Sequence, residues 1–118
     1  MFVVLDDADI EKAVKIGVQA RLTNAGQVCT AAKRFILHEK IADRFLSQFT
    51  EAFSKVKMGD QMDAATELGP LSSKDALETL TRQVNEAVKK RRDTALWWQA
   101  AGKQRQLLCA DHSDPDYP

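Results

Sequence analysis

An α/β fold with two short strands and three amphipathic helices is what residues 1–89 predict. Three observations carry the prediction. Two short runs, Phe2-Val3-Val4-Leu5 and Arg34-Phe35-Ile36-Leu37-His38, are rich in β-branched and aromatic residues and stand between polar segments. Three longer stretches repeat apolar residues at intervals of three and four. Acidic residues, glycines and serines sit where those elements change over. With 118 residues the chain is long enough for one small domain and too short for two.

In chain order, Phe2–Leu5 reads as a buried strand. Asp6, Asp7 and Asp9 follow it. Three clustered carboxylates could form a metal or acid/base site. Their position just ahead of an apolar-periodic stretch instead marks a helix start, where Asp accepts from free N–H groups and suits the positive dipole end. That helix is expected from Ala8 to about Leu22, with Ile10, Ala13, Val14 and Val18 on one face. A loop, Thr23-Asn24-Ala25-Gly26-Gln27, interrupts the pattern, and the second strand follows at 34–38. His38 has no partner motif and reads as a solvent-edge residue rather than a ligand or base. The second helix carries the stripe Ile41, Phe45, Phe49, Phe53 and Val56, a core-facing pattern more than a ligand box, and Met58-Gly59-Asp60 is expected to end it with a C-terminal glycine. Ser72 or Ser73 can cap a third helix with Asp75 in its first turn and Leu77, Leu80, Val84, Ala87 and Val88 on its apolar face.

Composition excludes several function classes. Lys+Arg and Asp+Glu both number 17, so the formal net charge is zero and there is no electrostatic footprint for nucleic acid or an anionic membrane. The apolar runs are far too short for a membrane span, and the N-terminus lacks a basic region followed by a long apolar one. Cys29 and Cys109 lie far apart and form neither a disulfide framework nor a zinc pattern, which points to a reduced, cytoplasmic chain. After Lys89 periodicity ends. The basic run Lys89-Lys90-Arg91-Arg92 and the pair Trp97-Trp98 are weak grounds for nucleic-acid binding in a neutral chain.

Cys29 is the residue whose setting suggests chemistry. Gly26 permits a tight or left-handed turn that can bring the chain onto a helix start. There a cysteine meets free N–H groups and a positive dipole end, which favour the thiolate, and the same donors can hold an oxyanion. Thr30, Ala31 and Ala32 are small and would leave room for a substrate. Read without further context, Cys29 fits a small buried hydrophobe better than a nucleophile, as most free cysteines do.

The words around it are specific. Asn24-Ala25-Gly26-Gln27-Val28-Cys29-Thr30-Ala31-Ala32-Lys33-Arg34-Phe35, with its Leu-x-x-x-Gly-Gln-x-Cys pattern from Leu22, resembles the active-site cysteine segment of the NAD(P)-dependent aldehyde dehydrogenases. Phe2 to Ile10 looks like the family's strand and helix before that cysteine; Lys57-Met58-Gly59-Asp60 and Leu68-Gly69-Pro70-Leu71 look like its loops after it. The likeness covers residues 2–89, and its phrasing is most similar to the succinate-semialdehyde dehydrogenase branch. It implies that 1–89 is a fragment of the family's catalytic domain. Cys29 would be the catalytic residue, and Asn24, Gly26 and Gln27 its active-site loop. The Cys29 thiolate would attack an aldehyde, and the thiohemiacetal would be oxidised by NAD or NADP and released as an acid. The family's Rossmann-type cofactor domain, general-base glutamate, oxyanion-hole asparagine and ribose-holding motif have no counterpart in these residues. The chain alone is therefore expected to bind no cofactor and no metal and to be inactive. Some succinate-semialdehyde enzymes place a carboxylate-binding arginine where Thr23 stands here. The intact family is homo-oligomeric. This piece, with more helix face than sheet to cover it, is expected to associate. A non-catalytic helical interaction module and a pseudogene product are the rival readings.

The likeness stops near Lys89, and the genetic code offers a reason. Trp97-Trp98 must be TGG-TGG; read from the second base, with C following, they give Gly-Gly, and Gln99-Ala100 can then give Lys-Pro. In the same offset Gln106 to Asp114 can read Asn-Phe-Phe-Ala-Pro-Thr-Ile-Leu-Thr, and Lys89 to Arg92 can read Lys-Asn-Gly-Ala. All three resemble family words. One extra adenine would produce this, so residues 90–118 are expected to be an out-of-frame tail.

Overall fold

A computed structural model describes residues 1–89. The chain divides into two units, Met1–Pro70 and Leu71–Pro118. The expectation of an out-of-frame tail at 90–118, with its basic run and tryptophan pair, falls outside the described residues, as does Cys109.

In the first unit, β1 (Phe2–Val4) and β2 (Phe35–Leu37) pair in parallel, with Phe2 opposite Phe35, Val3 opposite Ile36 and Val4 opposite Leu37. The Phe2 N–H donates to Arg34 O and the His38 N–H to Val4 O, both at 2.9 Å, so the ladder runs one residue beyond β2 at each end. Leu5, Arg34 and His38, expected within the strands, lie outside them. Alternation sets the faces: Val4 is buried, while Val3 and Ile36, paired on the other face, remain 55% and 50% exposed.

Helix α1 (Ile10–Leu22) begins two residues later than the expected Ala8, because Asp9 is its cap: its Oδ1 accepts from the Lys12 N–H at 3.1 Å. The other carboxylates do different work. Asp6 pairs with Lys40 at 3.2 Å, and Asp7 is exposed. Among the described residues no three His, Cys, Asp or Glu side chains converge as a metal site. Ile10 and Val14 are buried as the periodicity predicts; Ala13 and Val18 are half-buried.

Helix α2 (Glu39–Ser54) packs against α1. His38 is its cap, Nδ1 accepting from the Lys40 N–H at 3.3 Å, and it is exposed, in line with the solvent-edge reading. Ile41, Phe45, Phe49 and Phe53 are all buried, Phe45 most deeply at 2%. The rings of Phe45, Phe49 and Phe53, with those of Phe2 and Phe35, make a continuous aromatic spine with centroid separations of 5.0–6.3 Å. Burying each such ring stabilises the unit by about 1.5–3 kcal/mol. Gly17 of α1 is buried at the crossing, where a Cβ would lie 3.1 Å from Phe49 and 3.2 Å from Phe35.

Helix α2 stops earlier than the expected Met58-Gly59-Asp60. α2 ends at Ser54, with Lys55 as its cap, and Gly59 lies further on. The Gly59 N–H donates to Leu68 O at 3.2 Å, while Lys57 O accepts from both Glu67 and Leu68 N–H. Gly59 thus belongs to a loop folded back on itself and anchored by buried Leu68.

In the second unit, α3 (Lys74–Lys89) starts where expected. Ser73, not Ser72, supplies the cap, its Oγ accepting from the Ala76 N–H at 3.1 Å. Leu77, Leu80, Val84 and Ala87 are half-buried. No helix among the described residues is long and apolar enough to cross a membrane.

Candidate functional site

The crossover from α1 to β2 carries the site. α1 ends at Leu22, and the Thr23 hydroxyl turns back to donate to Gln19 O at 2.8 Å. The chain then makes three consecutive left-handed steps: Asn24 (φ 51°), Ala25 (φ 55°) and Gly26 (φ 75°). Gly26 adopts this without penalty and Asn tolerates it, but Ala25 there costs about 1–2 kcal/mol. Gln27 closes the turn from both ends, its backbone N–H and its Nε2 each donating to Asn24 O at 3.0 Å.

Cys29 follows on a turn in which the Ala31 N–H donates to Val28 O at 3.1 Å. It is a free, exposed thiol. The Cys29 amide donates to no acceptor among the described residues. Two expectations need correction here. Cys29 does not stand at a helix start: the turn leads through an irregular stretch straight into β2, so no helix dipole is aimed at the sulfur. Ala31 and Ala32 do not open space for a substrate; both are buried, and they anchor the segment to the core. The Ala32 N–H donates to Ala20 O at 3.1 Å, closing residues 20–32 into a loop on the end of α1 with Cys29 on its outer side. Of the expected site residues, the structure brings Asn24, Gly26 and Gln27 together in one hydrogen-bonded turn two residues ahead of Cys29.

Arg21 was not singled out from sequence, and it lies at the base of this loop. A Cβ on Gly26 would sit 2.8 Å from Arg21 Nη1 and 3.2 Å from Cζ and Nη2, so the guanidinium rests against the Gly26 backbone. Nη1 is sealed from water without a hydrogen-bond acceptor among the described residues. Desolvation pulls the guanidinium below its usual value, though an arginine stays charged. An unpaired buried N–H costs about 1–3 kcal/mol. The only sequence signal was a basic residue in the last turn of a helix, which the helix dipole alone would explain.

Comparison with known proteins gives this geometry a setting. The model of the aldehyde dehydrogenase family matches residues 1–105. The chain is 45% identical over 87 residues to the succinate-semialdehyde dehydrogenase (NADP+) of Mycobacterium avium, covering 74% of this chain and 18% of that protein. It is 47% identical over 87 residues to the succinate semialdehyde dehydrogenase (NAD(P)+) of Escherichia coli, covering 74% and 19%. Among solved structures, the betaine aldehyde dehydrogenase of Staphylococcus aureus in complex with NAD+ superposes with a TM-score of 0.77 at 30% identity, over 80% of this chain and 19% of that one. A 3,6-anhydro-L-galactose dehydrogenase superposes with a TM-score of 0.80 at 31% identity, over 90% and 22%. The chain thus spans about a fifth of the length of the relatives it matches.

Proposed function

The chain belongs to the aldehyde dehydrogenase family, and on that premise we propose that it carries the nucleophile of an enzyme that oxidises an aldehyde to a carboxylic acid with NAD(P). Cys29 is that nucleophile, and Asn24, Gly26 and Gln27 form the turn that presents it. The observation that carries the reading is the placement of Cys29: an exposed thiol on the outer side of a loop fastened at Ala20 and Ala32. The thiolate sulfur adds to the carbonyl carbon, the π electrons pass to oxygen, and that oxygen takes a proton from solvent. The product is a thiohemiacetal, with no net oxidation. The Cys29 N–H is at hand for the developing oxyanion. The kinship with succinate-semialdehyde dehydrogenases favours an aldehyde that also bears a carboxylate, although Thr23 supplies no charge to hold that carboxylate where some of those enzymes place an arginine.

The described residues do not fit a nicotinamide dinucleotide. Such a ligand approaches the carboxyl ends of parallel strands, where glycine-rich turns and helix N-termini meet its pyrophosphate. Here β1 is followed by Asp6 and Asp7 with Asp9 on the start of α1, and β2 by Glu39. With Lys40 taken up by Asp6, the carboxylates of Asp7, Asp9 and Glu39 leave both places negative, which repels phosphate. We therefore propose that these residues hold no hydride acceptor and that the chain alone is inactive as a dehydrogenase.

Thiol reactivity tests the reading. Saturating succinate semialdehyde is expected to slow iodoacetamide alkylation of Cys29 at least several-fold while leaving Cys109 unaffected, and to yield no NADH or NADPH when NAD or NADP is added. Equal alkylation of Cys29 with and without aldehyde would remove its role as nucleophile. Steady NADH formation lost in Cys29→Ala would overturn the proposed inactivity.

A further inference from the structure

We infer that Arg21, which the addition step does not use, is a positioning residue: its guanidinium is the platform over which Asn24–Gly26 turn to present Cys29. The inference rests on Cys29 being the reactive thiol.

A basic side chain in the last turn of a helix ordinarily runs along the surface and keeps its charged head in water. Lys12 and Lys15 of the same helix are exposed in that way. Arg21 instead lies inward against the Gly26 backbone, with Nη1 shut off from solvent and without an acceptor among the described residues. Fold stability does not account for such a placement, since an apolar side chain of similar length would fill the same space without stranding a buried N–H. The contact is also reciprocal. A Cβ at Gly26 would push the fork aside, and Gly26 is the third of three consecutive left-handed residues. Arg21 follows Ala20, whose carbonyl fastens the far end of the loop through Ala32. The guanidinium therefore occupies the base of the closed segment whose outer side carries Cys29, and it sets the path of the chain between Leu22 and Gln27.

Amide hydrogen exchange on the full chain tests this without relying on catalysis. The Gln27 N–H, bonded to Asn24 O, reports the turn; the Phe49 N–H in α2 reports the core. Arg21→Met is expected to speed exchange at Gln27 about tenfold with Phe49 unchanged, because a local opening is read separately from global unfolding. Arg21→Lys, which keeps a charge but loses the planar fork, should recover only part of the protection. In the same samples the ratio of Cys29 to Cys109 alkylation should change at least about threefold in Arg21→Met, since the thiol loses its fixed presentation. Unchanged Gln27 exchange in Arg21→Met would overturn the proposal. So would equal acceleration at Gln27 and Phe49, which would make Arg21 a general stabiliser of the fold. A wild-type Cys29 that ignores aldehyde, together with the expected exchange pattern, would count against the proposed function alone and leave the positional role of Arg21 intact.

Discussion

Replacing Gly17 by alanine sets two effects against each other, and the structure decides between them. Alanine in a helix interior is favoured over glycine by about 0.5–1 kcal/mol. The new Cβ, however, would lie 3.1 Å from a Phe49 ring carbon and 3.2 Å from one of Phe35. Neither ring is free to retreat. Phe35 is held between Phe2 (5.3 Å) and Phe45 (6.3 Å), and Phe49 between Phe45 (5.4 Å) and Phe53 (5.8 Å). Overpacking at such a site costs about 1–3 kcal/mol. The expected outcome is a net loss of about 1 kcal/mol, a fall in unfolding midpoint of about 4–8 °C for a unit of this size. Gly17→Val adds two further methyl groups at the same crossing and should cost about 3 kcal/mol or more. Urea unfolding followed by circular dichroism measures both, with the slope m checked for constancy. A midpoint that rises in Gly17→Ala would mean that the α1–α2 crossing is looser than the ring contacts imply, and the argument from the aromatic spine would fail.

Three further outcomes are expected. Asp9→Ala should lower stability by about 1 kcal/mol through loss of the α1 cap, whereas Asp7→Ala should change it by less than about 0.5 kcal/mol; equal effects in urea unfolding would refute the assignment of the cap. Lys55 donates to Glu51 at 2.6 Å and, by that hydrogen bond first and its charge second, holds the Glu51 carboxyl below its usual range. Any contribution is therefore present above the ordinary glutamate pKa and lost as pH falls through the lowered one. Because the pair is exposed, thermal unfolding of Lys55→Met should match wild type at neutral pH and in acid, and a clear difference at neutral pH would contradict the reading. We also propose that residues 90–118 are read out of frame, although the family model reaches residue 105. Removing one base near the Lys89 codon should restore a Gly-Gly-Lys-Pro-like run and open sequence past Pro118, and early stop codons in the offset frames of the DNA would exclude it.

Much of this architecture was legible because its signals are local. The Asp9 cap, the Phe45-Phe49-Phe53 stripe and the Ser73 start of α3 depend on residues a turn apart, and periodicity reports them directly. The misreadings came where a tertiary contact outweighed a local rule. Gly59 carries the sequence signature of a helix stop, yet its N–H is claimed by Leu68 nine positions on. Cys29 was expected at a helix start because Gly26 signals a turn, but the Ala20–Ala32 hydrogen bond takes the chain into β2 instead. Arg21 could not be found from sequence: its guanidinium meets Gly26 in a turn that also holds Ala25 left-handed, which no propensity favours. The motif singles out Cys29, whereas nothing local in the sequence singles out Arg21.

The parallel pairing of Phe2 with Phe35 also has a kinetic consequence. The Cys29 turn lies inside the crossover that joins the two strands, so the turn is fully fastened only when residues far apart in sequence have met. Closing a segment of that length costs about 3 kcal/mol of chain entropy before any strand hydrogen bond offsets it. α1 and α2 can form early from local contacts, whereas the sheet and the presentation of the thiol must arrive together and late. A nascent chain would thus pass through a stage with its helices formed and its nucleophile not yet set in place.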